Sequence, residues 1–348
     1  MRMESKRADL YLELEQQIGR TPLIKYIGDV LNGNSILIKR ECDNPFGSHY
    51  DRVYLALFKE FEELGKMQPG AKVLETTSGA AGVSFAGIGK LLGYECFVAL
   101  PAGGEKARED AIKKQLPSPD HLFFTPADQY VNGFPNFLKR FLAKHKDFVF
   151  LNHSMGSRDR TSGKYANNEI TLRALEGIAR ESLGEVSVDY FLPAVGNGSS
   201  ILGPGRVFYN GTQVIPFETF QSAVAYELKH PGEYEQKFGI KPGTLSRHRL
   251  PGTSYQGIDF PHIRNSIESG LIDNVVLVSD ATMDREYERI TGRQDSQRLP
   301  HWDVTLVNHE DLGRTGKAGV SVALDIARNV EGKNLLVIGY DKAERYDS

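Results

Sequence analysis

The stretch Asn44-Pro45-Phe46-Gly47-Ser48-His49-Tyr50-Asp51-Arg52 joins the apolar run Ile36-Leu37-Ile38 to a segment of helical periodicity. Pro, Gly and Ser between two periodic segments mark a loop. In 53–64 the residues Val53, Leu57, Phe61 and Leu64 recur at helical spacing, while Lys59, Glu60, Glu62 and Glu63 fall elsewhere. That pattern predicts a helix lying over a sheet face.

The alternation continues along the chain. Strands are expected at 35–39, 72–75, 95–100, 121–125, 148–152, 189–195, 213–218, 274–279, 305–308 and 334–339. Helices are expected at 53–64, 81–92, 108–115, 135–144, 165–183, 283–291 and 318–330. Strand and helix in turn give an α/β fold with mostly parallel sheets. Ligands of such folds gather at the carboxyl ends of strands. The polar segment 229–253, with His230-Pro231-Gly232 and Lys241-Pro242-Gly243, reads as a surface excursion, with a mobile lid as the alternative.

A net charge of −3 favours neither nucleic acid nor an anionic membrane surface. No apolar run approaches the ~20 residues of a membrane span. Cys42 and Cys96 fit no metal spacing, and their apolar, strand-like surroundings predict buried, inert thiols. His153, His248, His262, His301 and Asp259 show no ligand spacing and read as structural or solvated, so no metal is expected. The polar start Met1-Arg2-Met3-Glu4-Ser5-Lys6 is unlike a signal peptide, and a cytoplasmic protein is expected.

Three strand-loop-helix junctions carry polar groups. In Thr76-Thr77-Ser78-Gly79-Ala80-Ala81-Gly82 either Thr77 or Ser78 is a candidate helix cap, and the free N–H groups of a helix start favour an anion. In Val195-Gly196-Asn197-Gly198-Ser199-Ser200 glycines and hydroxyls offer a turn able to wrap a phosphate. That turn lacks the Gly-Lys-Ser/Thr of a Walker loop, and Ile201 breaks a Gly-x-Gly-x-x-Gly register. In Gly313-Arg314-Thr315-Gly316, before a helix at 320–328, Thr315 is either a ligand-facing hydroxyl or a plain cap.

Taken in order, these segments resemble the fold-type-II pyridoxal phosphate (PLP) enzymes, in the cysteine synthase and cystathionine β-synthase branch. Gly19-Arg20-Thr21-Pro22-Leu23 resembles the family's opening Gly-x-Thr-Pro-Leu. Asn44-Pro45 and Gly47-Ser48 resemble the approach to the cofactor lysine. Thr77-Ser78-Gly79 resembles the loop that holds the substrate carboxylate, and 196–200 resembles the phosphate loop. Gln256-Gly257-Ile258 resembles a loop over the open face of the cofactor. Thr315 falls where a hydroxyl meets the pyridine nitrogen, and Glu344-Arg345-Tyr346 resembles the family's closing Gly-Glu-Arg-Tyr.

The resemblance implies the two-domain fold of the tryptophan synthase β and cysteine synthase group, with twisted, mostly parallel sheets flanked by helices. The smaller domain would span 45–155 and the larger 10–44 with 156–348. It also implies cofactor contacts at Gly196, Asn197, Gly198, Ser199, Ser200 and Thr315. Substrate contacts are implied at Thr77, Ser78, Gly79, Ala80, Ala81, Gln256 and Gly257. The partner would be a serine- or cysteine-like amino acid undergoing β-replacement or β-elimination, in a homodimer.

The departures fall on the ring side of the implied site. Tyr50 stands at the Schiff-base lysine, Ala80 at an asparagine, and Lys342-Ala343 at Ser-Gly. A phenol forms no imine. Tyr50 either fills the lysine's space or acts as a base whose pKa of about 10 a cation has lowered. PLP would then be held noncovalently, through Lys317 or Lys342, or not at all. Three functions stay open: altered chemistry on a serine- or cysteine-like amino acid, a noncatalytic regulatory or metabolite-binding relative, and an enzyme using the anion loops for another phosphorylated ligand.

Overall fold

The computed structural model describes residues 5–208, 211–246, 250, 252–253, 256–302 and 309–346. The strand expected at 305–308 and His248 lie outside them. The strands are β1 (Leu23–Lys25), β2 (Ser35–Lys39), β3 (Lys72–Thr76), β4 (Glu95–Pro101), β5 (Leu122–Thr125), β6 (Phe148–Phe150), β7 (Tyr190–Leu192), β8 (Gln213–Val214), β9 (Phe217–Thr219), β10 (Val276–Val278) and β11 (Asn334–Ile338). The helices are α1 (Ser5–Gln17), α2 (Tyr50–Glu63), α3 (Ala80–Leu91), α4 (Lys106–Lys113), α5 (Phe134–Lys144), α6 (Glu169–Glu185), α7 (Ser199–Phe208), α8 (Val224–Lys229), α9 (Glu233–Phe238), α10 (Pro261–Glu268), α11 (Ala281–Thr291) and α12 (Arg314–Ala327).

The α/β expectation holds. A five-stranded sheet has the order β1-β2-β11-β7-β8, and a four-stranded sheet the order β5-β4-β3-β6. The pairings are parallel except for the edge strand β1, which runs against β2. Leu335, Leu336, Val337 and Ile338 of β11 are all buried, as a central parallel strand requires with helices on both faces. Helix α12 packs on β11, β2 and β7, and α2 lies between α3 and α6.

Several boundaries differ for local reasons. The segment expected as one strand at 213–218 divides into β8 and β9, which pair with β7 and β10 respectively. Pro216 lies between them, and proline has no N–H to donate to a ladder. Helix α2 starts at Tyr50, whose N–H donates to Ser48 Oγ at 3.2 Å. Its buried side is Val53, Tyr54, Leu57 and Phe58, while Leu64 is exposed. Helix α6 starts only at Glu169, because Asn168 Oδ1 accepts the Thr171 N–H at 3.1 Å. Helix α12 starts at Arg314, so Thr315 lies in its first turn. Cys42 sits in the single turn Glu41–Asp43, not a strand, though both thiols are buried.

The described part of the segment expected as a surface excursion is mostly exposed, but it anchors several side chains in the core. Tyr234, Phe238, Leu245 and Leu250 are buried, and Phe220, Phe238 and Tyr287 form an aromatic cluster. Helix α7 was hidden in the sequence by Gly203-Pro204-Gly205, a turn-like triplet. No described helix is long and apolar enough to cross a membrane.

Candidate functional site

A cavity of about 1200 Å³ opens where β3, β6, β7 and β11 end. Its wall includes Tyr50, Thr77, Ser78, Ala80, Ala81, Gly196, Asn197, Ser200, Gly257 and Thr315, so three separate junctions of the sequence meet in one space.

Tyr50 is half-buried at the start of α2, with its ring against His49 at 4.1 Å between centroids and edge-on to His153 at 5.2 Å. Burial pushes the Tyr50 phenol up, and the nearby Tyr340 and Glu75 add to that. The sequence left open a lowered pKa, which would make Tyr50 a base; the surroundings shift it the other way. Arg52 supplies no cation to Tyr50. Its guanidinium reaches Glu41 Oε2 at 2.7 Å and Glu181 Oε1 at 2.6 Å. Burial, with the Arg52 charge nearby, holds the His49 imidazole down to about 3, so it is neutral near pH 7.

At the first junction Thr77 Oγ1 accepts the Gly79 N–H at 2.9 Å, which closes a turn and does not cap α3. The helix begins after Gly79, whose φ of +154° and contact with the Arg108 side chain require glycine. Gly79 therefore backs the wall and does not line it. Arg108 donates to Asp341 Oδ2 at 2.8 Å, with both side chains buried. Tyr346 donates to Asp341 Oδ1 at 2.9 Å, its ring lies 4.5 Å beneath the Arg108 guanidinium, and its phenol bonds the Thr315 hydroxyl. Burial pushes the Asp341 carboxyl up, and the Arg108 charge opposes it.

At the second junction α7 begins at Ser199, inside the 196–200 turn. Asn197 Oδ1 accepts the N–H and the hydroxyl of Ser199 at 2.9 and 2.7 Å. Ser199 is thereby turned inward, while Asn197 and Ser200 line the cavity. Gly198 has φ +86°, and a Cβ there would stand 2.6 Å from Ile263 N. Backbone angle and packing together require glycine there. Gln256 points away from the cavity and donates to the Ser222 carbonyl at 2.8 Å. Gly257 stays on the wall.

Of the residues read from the sequence as structural or solvated, His301 pairs with Asp284 at 2.7 Å, and His262 accepts the Asn168 N–H at 3.0 Å. Asp259 pairs with Arg264. His153 is buried too, and it lines the cavity with Ser154 and bonds both Tyr54 and Ser154. Glu75, Arg108 and Asp341 were not singled out from the sequence, and His153 was named there only as structural or solvated. A carboxylate inside the apolar strand Val73-Leu74-Glu75, and polar residues directly after β6, were the available signals. Among the described residues no cluster suits a metal ion.

The donor set suits an anion at 196–200 and does not suit an imine. The lysines on the cavity wall, Lys139, Lys146 and Lys164, are all exposed at its mouth. Lys342 lies 3.6 Å from Asp43, and neither it nor Lys317 lines the cavity.

Residues 14–291 match the family described as pyridoxal-phosphate dependent enzyme. A cysteine synthase of Staphylococcus aureus is 24% identical over 339 residues, 96% of this chain and 94% of that protein. Cysteine synthase B of Salmonella typhimurium is 39% identical over 102 residues, 29% of this chain and 33% of its own. Among solved structures, a hydrogen sulfide-producing enzyme from Fusobacterium nucleatum superposes with a TM-score of 0.74 at 20% identity, covering 96% of this chain and 99% of its own. An O-acetylserine dependent cystathionine β-synthase from Helicobacter pylori gives 0.72 at 20% identity, covering 96% of each. With a family match over most of its length and the family's sheets around one cavity, this chain belongs to the pyridoxal-phosphate dependent enzymes.

Proposed function

We propose that the chain is a cysteine synthase-like member of this family that binds a serine- or cysteine-like amino acid and has given up lysine-imine chemistry. PLP, or another phosphorylated ligand, would be held noncovalently at 196–200. One observation carries the reading. The phenol of Tyr50 occupies the cavity wall at the position the resemblance assigns to the lysine, and the lysines of the wall stand exposed at the mouth.

The residues suit such a ligand. The N-terminal end of α7, with the Ser200 hydroxyl, favours a phosphate or carboxylate. Thr77 and Ser78 place further polar groups on the cavity wall. Lys139, Lys146, Arg158 and Lys164 ring the mouth, where Asp259 is already paired with Arg264, so the entrance attracts anions. The proposed smaller unit, 45–155, contains the four-stranded sheet, and the five-stranded sheet falls within the proposed larger unit, 10–44 with 156–348.

The test is addition of PLP to the purified protein, followed by borohydride reduction and intact mass. Unchanged mass, with stabilisation against heat by PLP or by phosphoserine, is the expected result. An imine band at the violet edge of the visible, with the cofactor fixed to a lysine, overturns the reading.

A further inference from the structure

Glu75, His153, Ser154 and Asn197 form a polar relay along the cavity wall. His153 Nε2 lies 3.1 Å from Ser154 Oγ. His153 Nδ1 lies 3.3 Å from Glu75 Oε2 and 2.9 Å from the Tyr54 phenol. The Glu75 carboxylate is fixed in turn by the N–H groups of Thr76 and His153, at 2.8 and 3.2 Å. The Tyr54 phenol also bonds Glu75, and a carboxylate only accepts, so the phenol gives its proton to Glu75 and accepts from His153, whose own proton then sits on Nδ1. Nε2 is then the acceptor for the Ser154 hydroxyl.

The backbone holds this arrangement in place. Asn152, directly before His153, has φ +54°, a left-handed conformation that asparagine tolerates better than most residues. Its carbonyl accepts the Asn168 side-chain amide at 2.9 Å, and Thr171 Oγ1 donates to the His153 carbonyl at 2.9 Å. Asn197 Nδ2 donates to Ser154 Oγ at 3.1 Å. With its proton given to Nε2 and one lone pair taken by Asn197, Ser154 Oγ keeps a lone pair for attack. Ser154 is half-buried on the cavity wall, whereas Glu75 and His153 are buried. Adjacent parallel strands, β3 and β6, bring the carboxylate and the histidine together. A nucleophile, a base and an orienting acid are recognised by such geometry and not by sequence order.

We propose that Ser154 is a nucleophile for acyl transfer, with His153 as its acid-base partner and Glu75 as a positioning residue. The substrate class is a small carboxylic ester bearing an anionic group, which the cationic mouth admits. Ser154 Oγ attacks the ester carbonyl carbon and its proton passes to His153 Nε2. The bond from that carbon to the alkoxy oxygen breaks, and the alcohol leaves with the proton. Water then attacks the acyl-serine with His153 again taking the proton, which returns to Ser154 Oγ as the acid departs. Ester and water yield acid and alcohol, and neither cofactor nor imine takes part, so the reading stands or falls apart from that of the ligand.

The experiment is labelling of the intact protein with a fluorophosphonate, which forms a phosphorus-oxygen bond as fluoride leaves with the serine proton. The expected result, by intact mass and peptide mapping, is one adduct, on Ser154. It is absent from heat-denatured protein and from Ser154→Ala. His153→Gln slows labelling by roughly 10²-fold or more. Glu75→Gln slows it and alters its pH profile, and Glu75→Asp recovers part of the rate. An adduct absent from Ser154, or equal rates with and without the His153 imidazole, overturns the proposal. Faster turnover of 4-nitrophenyl hemisuccinate than of 4-nitrophenyl acetate is expected, and equal turnover of the two overturns the anionic substrate class.

Discussion

The Tyr50 ring meets the His153 imidazole edge-on, with centroids 5.2 Å apart and planes at 84°. The pair closes the space between the start of α2 and the end of β6. The phenol there is pushed up by burial, so it keeps its proton near pH 7 and offers a donor, not a base. In Tyr50→Lys the same burial would push the amine down toward its neutral, nucleophilic form. This variant is expected to acquire a borohydride-fixed PLP adduct at position 50, read by peptide mass. No adduct despite PLP binding would mean that the ring side of the pocket no longer accepts the cofactor.

Arg52 links Glu41 on one side to Glu181 of α6 on the other, and Lys39 joins the same Glu181 at 2.7 Å. Removing the guanidinium leaves the fully buried Glu41 without its cation. Arg52→Ala is expected to cost about 3–5 kcal/mol of unfolding free energy, measured by urea denaturation.

Burial raises the Asp51 carboxyl to about 7, opposed by hydrogen bonds from Ser84 and the Phe46 N–H. Its ordinary value, kept in the unfolded chain, is 3.8. Between those values the folded state binds the extra proton, so this group's contribution to stability is present at low pH and is lost as pH rises toward 7. Relative to Asp51→Asn, the wild type is expected to lose about 1.4 kcal/mol per pH unit over the middle of that window. His49 and His262, each held down to about 3, act in the opposite sense below pH ~6.5. The difference between wild type and variant isolates Asp51, and denaturation at several pH values measures it.

Gly198 combines φ +86° with a backbone neighbour, Ile263 N, 2.6 Å from any added Cβ. Gly198→Ala is expected to cost about 1–3 kcal/mol and to weaken phosphate binding at the turn. Thermal unfolding with and without phosphoserine separates the two effects.

Burial raises the Cys42 thiol to about 12, and it pushes Cys96 up as well. Both are expected to stay unreactive toward a thiol-disulfide reagent in the native protein and to react on unfolding in denaturant. Reaction of either at the native rate of a free thiol would contradict the burial.

Elements with strong local period were legible in advance. The strands β2, β3, β4 and β11 and the helix α2 announced themselves through runs of apolar residues bounded by turn signals. Elements whose local signals conflict were not. Pro204 and its flanking glycines disguised α7, and polar residues around Tyr234 and Phe238 disguised a short helix that buries those two rings. Of the predicted site residues, Tyr50, Thr77, Ser78, Asn197, Ser200 and Thr315 meet in the cavity, because each follows the end of a strand or opens a helix. Gln256 turned away, since the Ser222 carbonyl beside it captures its amide.

The sequence by itself determined the α/β class, the order of the junctions and the presence of a phenol at position 50. These depend on composition and short-range period, which a chain carries in any conformation. Tertiary structure alone decided which polar groups face one another. Glu75 and His153 are 78 residues apart, and Ser154 and Asn197 are 43 apart. Their meeting depends on strand pairing and on the packing of two sheets around a cavity. Burial, which only the folded chain supplies, set the pKa directions of Tyr50, His49 and Asp51. It turned Tyr50 from a possible base into a neutral wall beside His153.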